Sequence, residues 1–167
     1  IYDIKDIIKI NQLCKNKKLK LHLDGARLFN AIIESDYSTK DIGKLFDTIS
    51  ICLSKGLGAP IGSILLGKTD MINKARRIRK IFGGGMRQAG IIAAAGSYAL
   101  KNNINRLKED HIRAKQLSLE LEKLSYVKNV LPVYTNIVVA EIPEELNYIK
   151  IIAELSNHGL KCTPFGP

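Results

Sequence analysis

Lys55 is the residue of this sequence whose type and neighbours most favour covalent chemistry. It follows the apolar residues 49–53 and comes before Gly56, Gly58 and Gly62. We expect the apolar run to form a buried strand and the glycines to let the chain turn sharply. Burial at a strand end favours the uncharged amine, which can form a Schiff base with a carbonyl group. A lysine that reaches solvent from a strand end gives the same pattern, and this stretch taken alone favours that interpretation.

Asp24 is the acidic residue that could share a site with Lys55. It ends a predicted strand over residues 19–23, and strand alternation would place His22 on the same face. An aspartate at this position can cap a helix. It can also contact the ring nitrogen of a pyridoxal cofactor that is bound by a lysine. The residues between Asp24 and Lys55 suffice for one helix and one strand, so both would lie at the ligand-binding edge of a sheet.

The elements that would position these residues alternate between helices and strands. Apolar spacing predicts a helix over residues 3–16, a short helix over 28–33, and a helix over 38–45 in which Ser38 caps towards Asp41. Strands are predicted over residues 46–53 and 62–67, after the strand that ends at Asp24. This alternation indicates an α/β layer with a largely parallel sheet.

Two further helices follow, separated by three glycines. Residues 70–82 form a basic amphipathic pattern, and residues 91–100 are apolar on all sides, which predicts burial in a core or at a subunit interface. The glycines at 83–85 lead into a helix start, where free N–H groups and Arg87 could bind an anion. A simple break between two helices has the same sequence.

The chain divides best at residues 102 and 103. Beyond that point the pattern predicts a long helix over residues 104–124, then strands over 127–131 and 136–142, a helix over 144–157 and a strand over 159–163. This β-β-α-β unit would be the beginning of a second, α+β domain.

Composition excludes several classes of protein. The net charge is +10, but the basic residues are spread along the chain and few aromatic residues accompany them, so we expect no nucleic-acid partner. The three cysteines lie far apart and the three histidines have no metal-ligand spacing, which predicts no metal site and a reducing compartment. No apolar run is long enough to cross a membrane.

Three blocks of sequence, read together, resemble one enzyme family. They are residues 22–31 (HLDGARLFNA), 54–63 (SKGLGAPIGS) and 82–90 (FGGGMRQAG). In this order they resemble the low-specificity L-threonine aldolases, which belong to the β-eliminating lyase group of pyridoxal phosphate enzymes with the aspartate-aminotransferase fold (fold type I). The resemblance covers most of residues 1–125, and the remainder is compatible with the small domain of the family.

The resemblance implies a role for five residues. Lys55 matches the lysine that binds pyridoxal phosphate as a Schiff base, and Asp24 matches the acid that keeps the ring nitrogen protonated. Ala26 would pack on the face of the ring. Arg27 matches an arginine near the ring and the substrate carboxylate. Arg87 matches an arginine near the cofactor phosphate, across a subunit contact.

The resemblance also implies an activity and a setting. The full-length protein would cleave L-threonine or L-allo-threonine to glycine and acetaldehyde, in threonine catabolism and glycine biosynthesis, as a cytoplasmic homotetramer. Residues 1–102 would be part of the large domain that binds pyridoxal phosphate, and 103–167 a truncated small domain.

The chain departs from the family pattern in what it lacks. The family's glycine-rich phosphate loop, stacking histidine and second carboxylate-binding arginine are not in this sequence, so we expect a piece of a longer protein. His22 is not the stacking histidine; it is either a partner behind Asp24 or a buried core histidine. Two other functions stay open: a pyridoxal phosphate lyase of the same fold with a different amino acid substrate, and a non-catalytic basic binding module.

Overall fold

The computed structural model describes residues 2–165, which divide into two compact units. The first unit ends at Lys108 and the second begins at Glu109. This division lies a few residues after the predicted one at 102 and 103. The assignment of the units to a large cofactor domain and a small domain stays a prediction.

The first unit is a small three-stranded sheet with helices, close to the predicted pattern. Its strands are β1 (His22–Asp24), β2 (Thr48–Cys52) and β3 (Ser63–Gly67). Its helices are α1 (Ile4–Asn16), α2 (Leu28–Ile33), α3 (Thr39–Gly43), α4 (Thr69–Ile81) and α5 (Gly90–Asn102), and α6 (Leu107–Leu121) begins in it. Ser38 caps α3 as predicted, since its hydroxyl accepts from the Asp41 N–H at 3.2 Å.

The sheet has the order β1-β2-β3 and is only half parallel. β1 pairs in parallel with β2, whereas β2 and β3 are antiparallel, with Cys52 opposite Ser63. The prediction of a largely parallel sheet is therefore wrong for these three strands. Residues 53–62 form the whole connection between β2 and β3, and a parallel return needs a longer crossover than this.

The core of the first unit lies beneath the loop that follows β2. Its buried members are Leu53, Leu57, Ala59, Ala99 and Leu107. Only one face of α5 joins this core, because Ile91 and Tyr98 on the same helix are 86% and 65% exposed. The prediction of a helix buried on all sides is wrong for the single chain, and a subunit interface stays a prediction.

The second unit contains less regular structure than the sequence predicts. After α6 it has β4 (Asn129–Val130), antiparallel β5 (Ala140–Glu141) and α7 (Tyr148–Asn157). The strand predicted over residues 159–163 does not form; these residues have no regular secondary structure beyond the turn that ends α7. No helix within residues 2–165 combines the length and the hydrophobicity needed to cross a membrane.

Asp47 fixes the start of β1 beside the start of β2. Its carboxylate accepts hydrogen bonds from the Leu21 N–H and from Lys20 Nζ, both at 2.9 Å, and its own N–H donates to the Leu21 carbonyl at 2.8 Å. The Leu21 N–H, and then Lys20, hold the pKa of Asp47 below its ordinary value of 3.8. The ionised carboxylate therefore stabilises the pairing of the two strands.

We expect Asp47→Asn to lower the free energy of unfolding by about 1 kcal/mol at neutral pH, because the substitution removes the charged acceptor. A carboxyl group with a lowered pKa stabilises the fold above 3.8, and this contribution is lost as the pH falls through the folded-state pKa. The difference between wild type and Asp47→Asn should therefore shrink in urea titrations at acidic pH. Asp36→Asn, at an exposed position, is the control, and a difference independent of pH would contradict this account.

Candidate active site

The parallel strands β1 and β2 bring the two predicted catalytic residues to one edge of the sheet. Asp24 pairs with Ser50 in the register of these strands, and both strands run towards the same edge. Asp24 is the last residue of β1, and Lys55 lies in the loop that leaves the end of β2. Ligands bind at this carboxyl edge in parallel α/β sheets.

Asp24 is held by the backbone that follows it. Its side chain is exposed, and Oδ1 accepts a hydrogen bond from the Ala26 N–H at 3.1 Å. The next residue, Gly25, donates its N–H to the Ser50 carbonyl at 2.8 Å. A Cβ atom on Gly25 would lie 2.8 Å from that carbonyl oxygen, so the close approach of the two chains requires glycine.

The loop around Lys55 is closed by its own backbone hydrogen bonds. The Leu53 N–H donates to the Gly62 carbonyl at 2.9 Å, and the Ala59 N–H donates to the Leu53 carbonyl at 3.0 Å. Within this loop the Gly58 N–H donates to the Lys55 carbonyl at 2.8 Å, and Gly58 has a φ of +72°, which favours glycine.

Lys55 is exposed although Leu53 and Leu57, two residues away on either side, are buried. Leu53 and Leu57 belong to the core, and Lys55 between them reaches the surface. Of the two interpretations of Lys55 from the sequence, the described chain agrees with a lysine that reaches solvent from the strand end and not with a buried amine. The buried neighbours nevertheless fix the loop from which the amine extends.

Ala26 and Arg27 lie beside the same loop. They line a small cavity together with Cys52, Gly56 and Leu57, so the segment after β1 faces the segment after β2. Arg27 is exposed at the start of α2 and makes no side-chain capping bond. Ala26 and Arg27 are thus brought next to the residues that flank Lys55.

Arg87 lies in the glycine-rich segment between α4 and α5 and is exposed. The first glycines here end α4: Gly83 has a φ of +80°, and the Gly84 N–H donates to the Arg79 carbonyl at 2.8 Å. Within residues 2–165, Arg87 forms no ion pair or hydrogen bond with Asp24 or Lys55. The structure does not bring it into contact with them, and its role with a phosphate stays a prediction.

His22 has neither of the two predicted environments. Its side chain is exposed, and Nδ1 lies 2.8 Å from Oγ1 of Thr48, its register partner on β2. It is therefore not a buried core histidine, and its hydrogen bond goes to the neighbouring strand instead of to Asp24.

Two asparagines at this site were not predicted from the sequence. Asn30 is 4% exposed, and its amide lies within 4 Å of the position of a Cβ on Gly56. Asn103 Nδ2 donates to the Leu57 carbonyl at 2.7 Å. The sequence signal for Asn103 is its place directly after an apolar helix, where asparagine sometimes ends the helix; the same residue also marks the predicted domain boundary.

The charged groups at this edge remain available to a ligand. Among the described residues, Asp24, Arg27 and Lys55 form no ion pair with one another or with any other side chain. One amine, one carboxylate and one guanidinium at a sheet edge can bind a molecule that carries a carbonyl, a basic ring nitrogen and a carboxylate.

Residues 1–145 match the family described as beta-eliminating lyase. This chain belongs to the beta-eliminating lyase family. The match includes Asp24, Arg27, Lys55 and Arg87.

The relatives of this family member include the low specificity L-threonine aldolase of Escherichia coli K12, with 46% identity over 134 residues. That match covers 80% of this chain and 40% of the relative. The chain thus spans about 40% of the length of this curated relative.

Solved structures show the fold. The threonine aldolase of Leishmania major has a TM-score of 0.74 at 24% identity, over 93% of this chain and 45% of that one. The histidinol-phosphate aminotransferase of Clostridium acetobutylicum has a TM-score of 0.67 at 18% identity, over 96% of this chain and 49% of that one. The predicted aspartate-aminotransferase-like fold is confirmed, and the matches span less than half of these two structures.

Gly25→Ala tests how tightly the two chain segments approach each other beside the candidate site. The added Cβ would clash with the Ser50 carbonyl oxygen, so we expect a loss of about 1–3 kcal/mol of unfolding free energy. Gly43→Ala is the matched control, because a Cβ there meets nothing within 4 Å and alanine favours the helix. Denaturant unfolding of both variants measures the difference; equal stabilities would show that the approach is not tight.

Proposed function

We propose that this chain supplies the lysine and the acid of a pyridoxal phosphate site in a protein that cleaves L-threonine or L-allo-threonine to glycine and acetaldehyde. The observation that carries the proposal is the arrival of Asp24 and Lys55 at one sheet edge, each without an ion-pair partner in the described chain. Relatives named as threonine aldolases at 46% identity support the choice of substrate.

The residues at the edge fit this cofactor by their chemistry. The exposed amine of Lys55 is free to react with an aldehyde, and the Asp24 carboxylate has one oxygen bound to the Ala26 N–H and a second that can accept from a ring nitrogen. Ala26 and Arg27 line the small cavity beside this loop, where Ala26 would pack on the face of the ring. Pyridoxal phosphate, when bound, supplies an electron sink for the carbon atom whose bond is broken.

Each residue then has a defined task. Lys55 would hold the cofactor covalently, and its amine nitrogen would lie close to the reacting carbon, where it can hold or move a proton. Asp24, as a carboxylate, would keep a proton on the ring nitrogen, and the protonated ring would accept electrons more readily. Arg27 binds the substrate carboxylate through its planar guanidinium, and Arg87 binds the cofactor phosphate. The base that takes the hydroxyl proton of the substrate is not assigned to a residue of this chain.

A second lyase activity is favoured by the family description itself, since beta-eliminating lyases release a leaving group from the β-carbon. The two activities differ in their products. Glycine and acetaldehyde from L-threonine support the aldolase, whereas ammonia and a keto acid from another amino acid support elimination.

We further propose a homotetrameric assembly and a cytoplasmic location for the intact protein.

Reductive trapping tests the role of Lys55. Borohydride added to the intact protein with pyridoxal phosphate should fix the cofactor on Lys55, as located by peptide mass spectrometry. Lys55→Arg should abolish both the adduct and the visible light absorption of the lysine-bound cofactor, while Lys17→Arg, at an exposed lysine on another part of the chain, should change neither. Modification spread over many lysines, without preference for position 55, would refute the role.

Asp24→Asn tests the role of the acid separately. The asparagine can still accept the Ala26 N–H but carries no charge, so we expect turnover to fall by roughly 10²–10³ while the adduct on Lys55 still forms. Steady-state rates with L-threonine and the same trapping experiment provide the two measurements. Unchanged turnover in this variant would contradict the proposed role of the carboxylate.

A further inference from the structure

Asn103 reaches from the end of α5 to the loop that carries Lys55. It caps the C-terminus of the helix, where its N–H donates to the Ala99 carbonyl at 2.9 Å. Its side-chain Nδ2 donates to the Leu57 carbonyl at 2.7 Å, and this bond is partly buried. The position of a Cβ on Gly58 lies 3.7 Å from the same nitrogen atom. The amide therefore contacts the Leu57–Gly58 peptide group, two residues after Lys55.

The same face of α5 contacts the loop at two other positions. A Cβ on Gly96 would lie 2.9 Å from Leu53 Cδ1, and Ala99 is 2% exposed in the core cluster that contains Leu53 and Leu57. Positions 96, 99 and 103 are spaced three and four residues apart, which places them on one side of a helix. Two of these contacts are apolar and adjustable, whereas the contact of Asn103 is a directional hydrogen bond.

Three backbone hydrogen bonds join the loop to itself. The bonds from Leu53, Gly58 and Ala59 close the loop internally, at Gly62, Lys55 and Leu53. They define the shape of the loop but do not fix the turn after Lys55 to another element. The Asn103 side chain joins this turn to the end of α5. Its Nδ2 donates to the Leu57 carbonyl in a partly buried place, where loss of the hydrogen bond is costly.

We propose that Asn103 is a positioning residue for Lys55: its hydrogen bond to the Leu57 carbonyl fixes the turn from which the amine extends. This inference rests on the proposed function of Lys55. A covalent step requires the amine to point in one direction for most of the time, because a small displacement of a reacting group slows the step considerably. Without the donor, the turn over residues 55–58 samples more conformations and the amine is less often in position.

The test compares Asn103→Ala and Asn103→Asp with Asn102→Ala in the intact protein. Asn103→Asp keeps the size of the side chain but places a carboxylate oxygen against the Leu57 carbonyl. Asn102 is the matched control, since its Nδ2 also donates to a backbone carbonyl, that of Tyr98, at 2.9 Å within its own helix. Thermal unfolding confirms that each variant is folded.

Two measurements separate a positioning role from a structural one. Hydrogen–deuterium exchange follows the amides of Gly58 and Ala59, and borohydride trapping with mass spectrometry gives the rate at which pyridoxal phosphate modifies Lys55. We expect both Asn103 variants to exchange faster at these amides and to react about tenfold more slowly at Lys55. Modification of Lys17 should not change, and Asn102→Ala should match the wild type in both measurements.

The outcomes distinguish this inference from the proposed function. Unchanged exchange in both Asn103 variants overturns the inference, and so does faster exchange with an unchanged rate at Lys55. If wild-type Lys55 itself is not modified, the proposed function fails and the positioning role fails with it. Faster exchange at Gly58 and Ala59 together with a slower reaction at Lys55, while Lys17 and the control variant are unaffected, supports the inference.

Discussion

The candidate active site depends on the parallel pairing of β1 and β2. This pairing makes two segments that are distant in sequence leave the sheet at the same edge, one after Asp24 and the other after Cys52. Gly25 continues the pairing beyond the strand by donating to Ser50, and only a residue without a side chain fits this approach. An antiparallel arrangement of the same two strands would place Asp24 and the Lys55 loop at opposite edges.

The loop that carries Lys55 is also the connection between β2 and the antiparallel β3. The bond from Leu53 to Gly62 continues the β2–β3 pairing past the opposition of Cys52 and Ser63. Above this bond the chain folds over its own apolar side chains, and Leu57 and Ala59 enter the core. The loop thus gains the fixed shape that a long connection usually lacks, because burial and internal hydrogen bonds compensate for the ordering of its backbone.

Local sequence patterns were enough to predict most of the elements of the first unit. Helical spacing predicts α1 and α4, and apolar runs predict α5 and β2, because these signals depend on neighbours within one turn or one strand. The short connection over residues 53–62 indicates that β3 is antiparallel to β2. The alternation of helices and strands indicates a parallel sheet instead, and that prediction is wrong here. In the second unit, the sequence over residues 159–163 predicts a strand that does not form, because a strand requires a pairing partner that local sequence does not specify.

The site was predictable in its residue types but not in its environment. The blocks around Asp24 and Lys55 identify the family because their order is specific. Whether Lys55 is buried depends on packing around a loop, and the contact between Asn103 and Leu57 joins residues far apart in the sequence. Such contacts follow from the packing of α5 on the loop, which periodicity indicates only as an apolar face.

The candidate site separates the residues that we propose to do chemistry from those that hold the fold. Asp24 and Lys55 are exposed and make few contacts, whereas their neighbours Gly25, Leu53 and Leu57 are buried. A change of an exposed charged side chain removes little buried area, so its effect on folding is small even where its effect on a reaction is large. A change at a buried neighbour alters both, since it moves the backbone from which the reactive group extends. Loss of activity is therefore informative about mechanism at positions 24 and 55, and about architecture at the positions beside them.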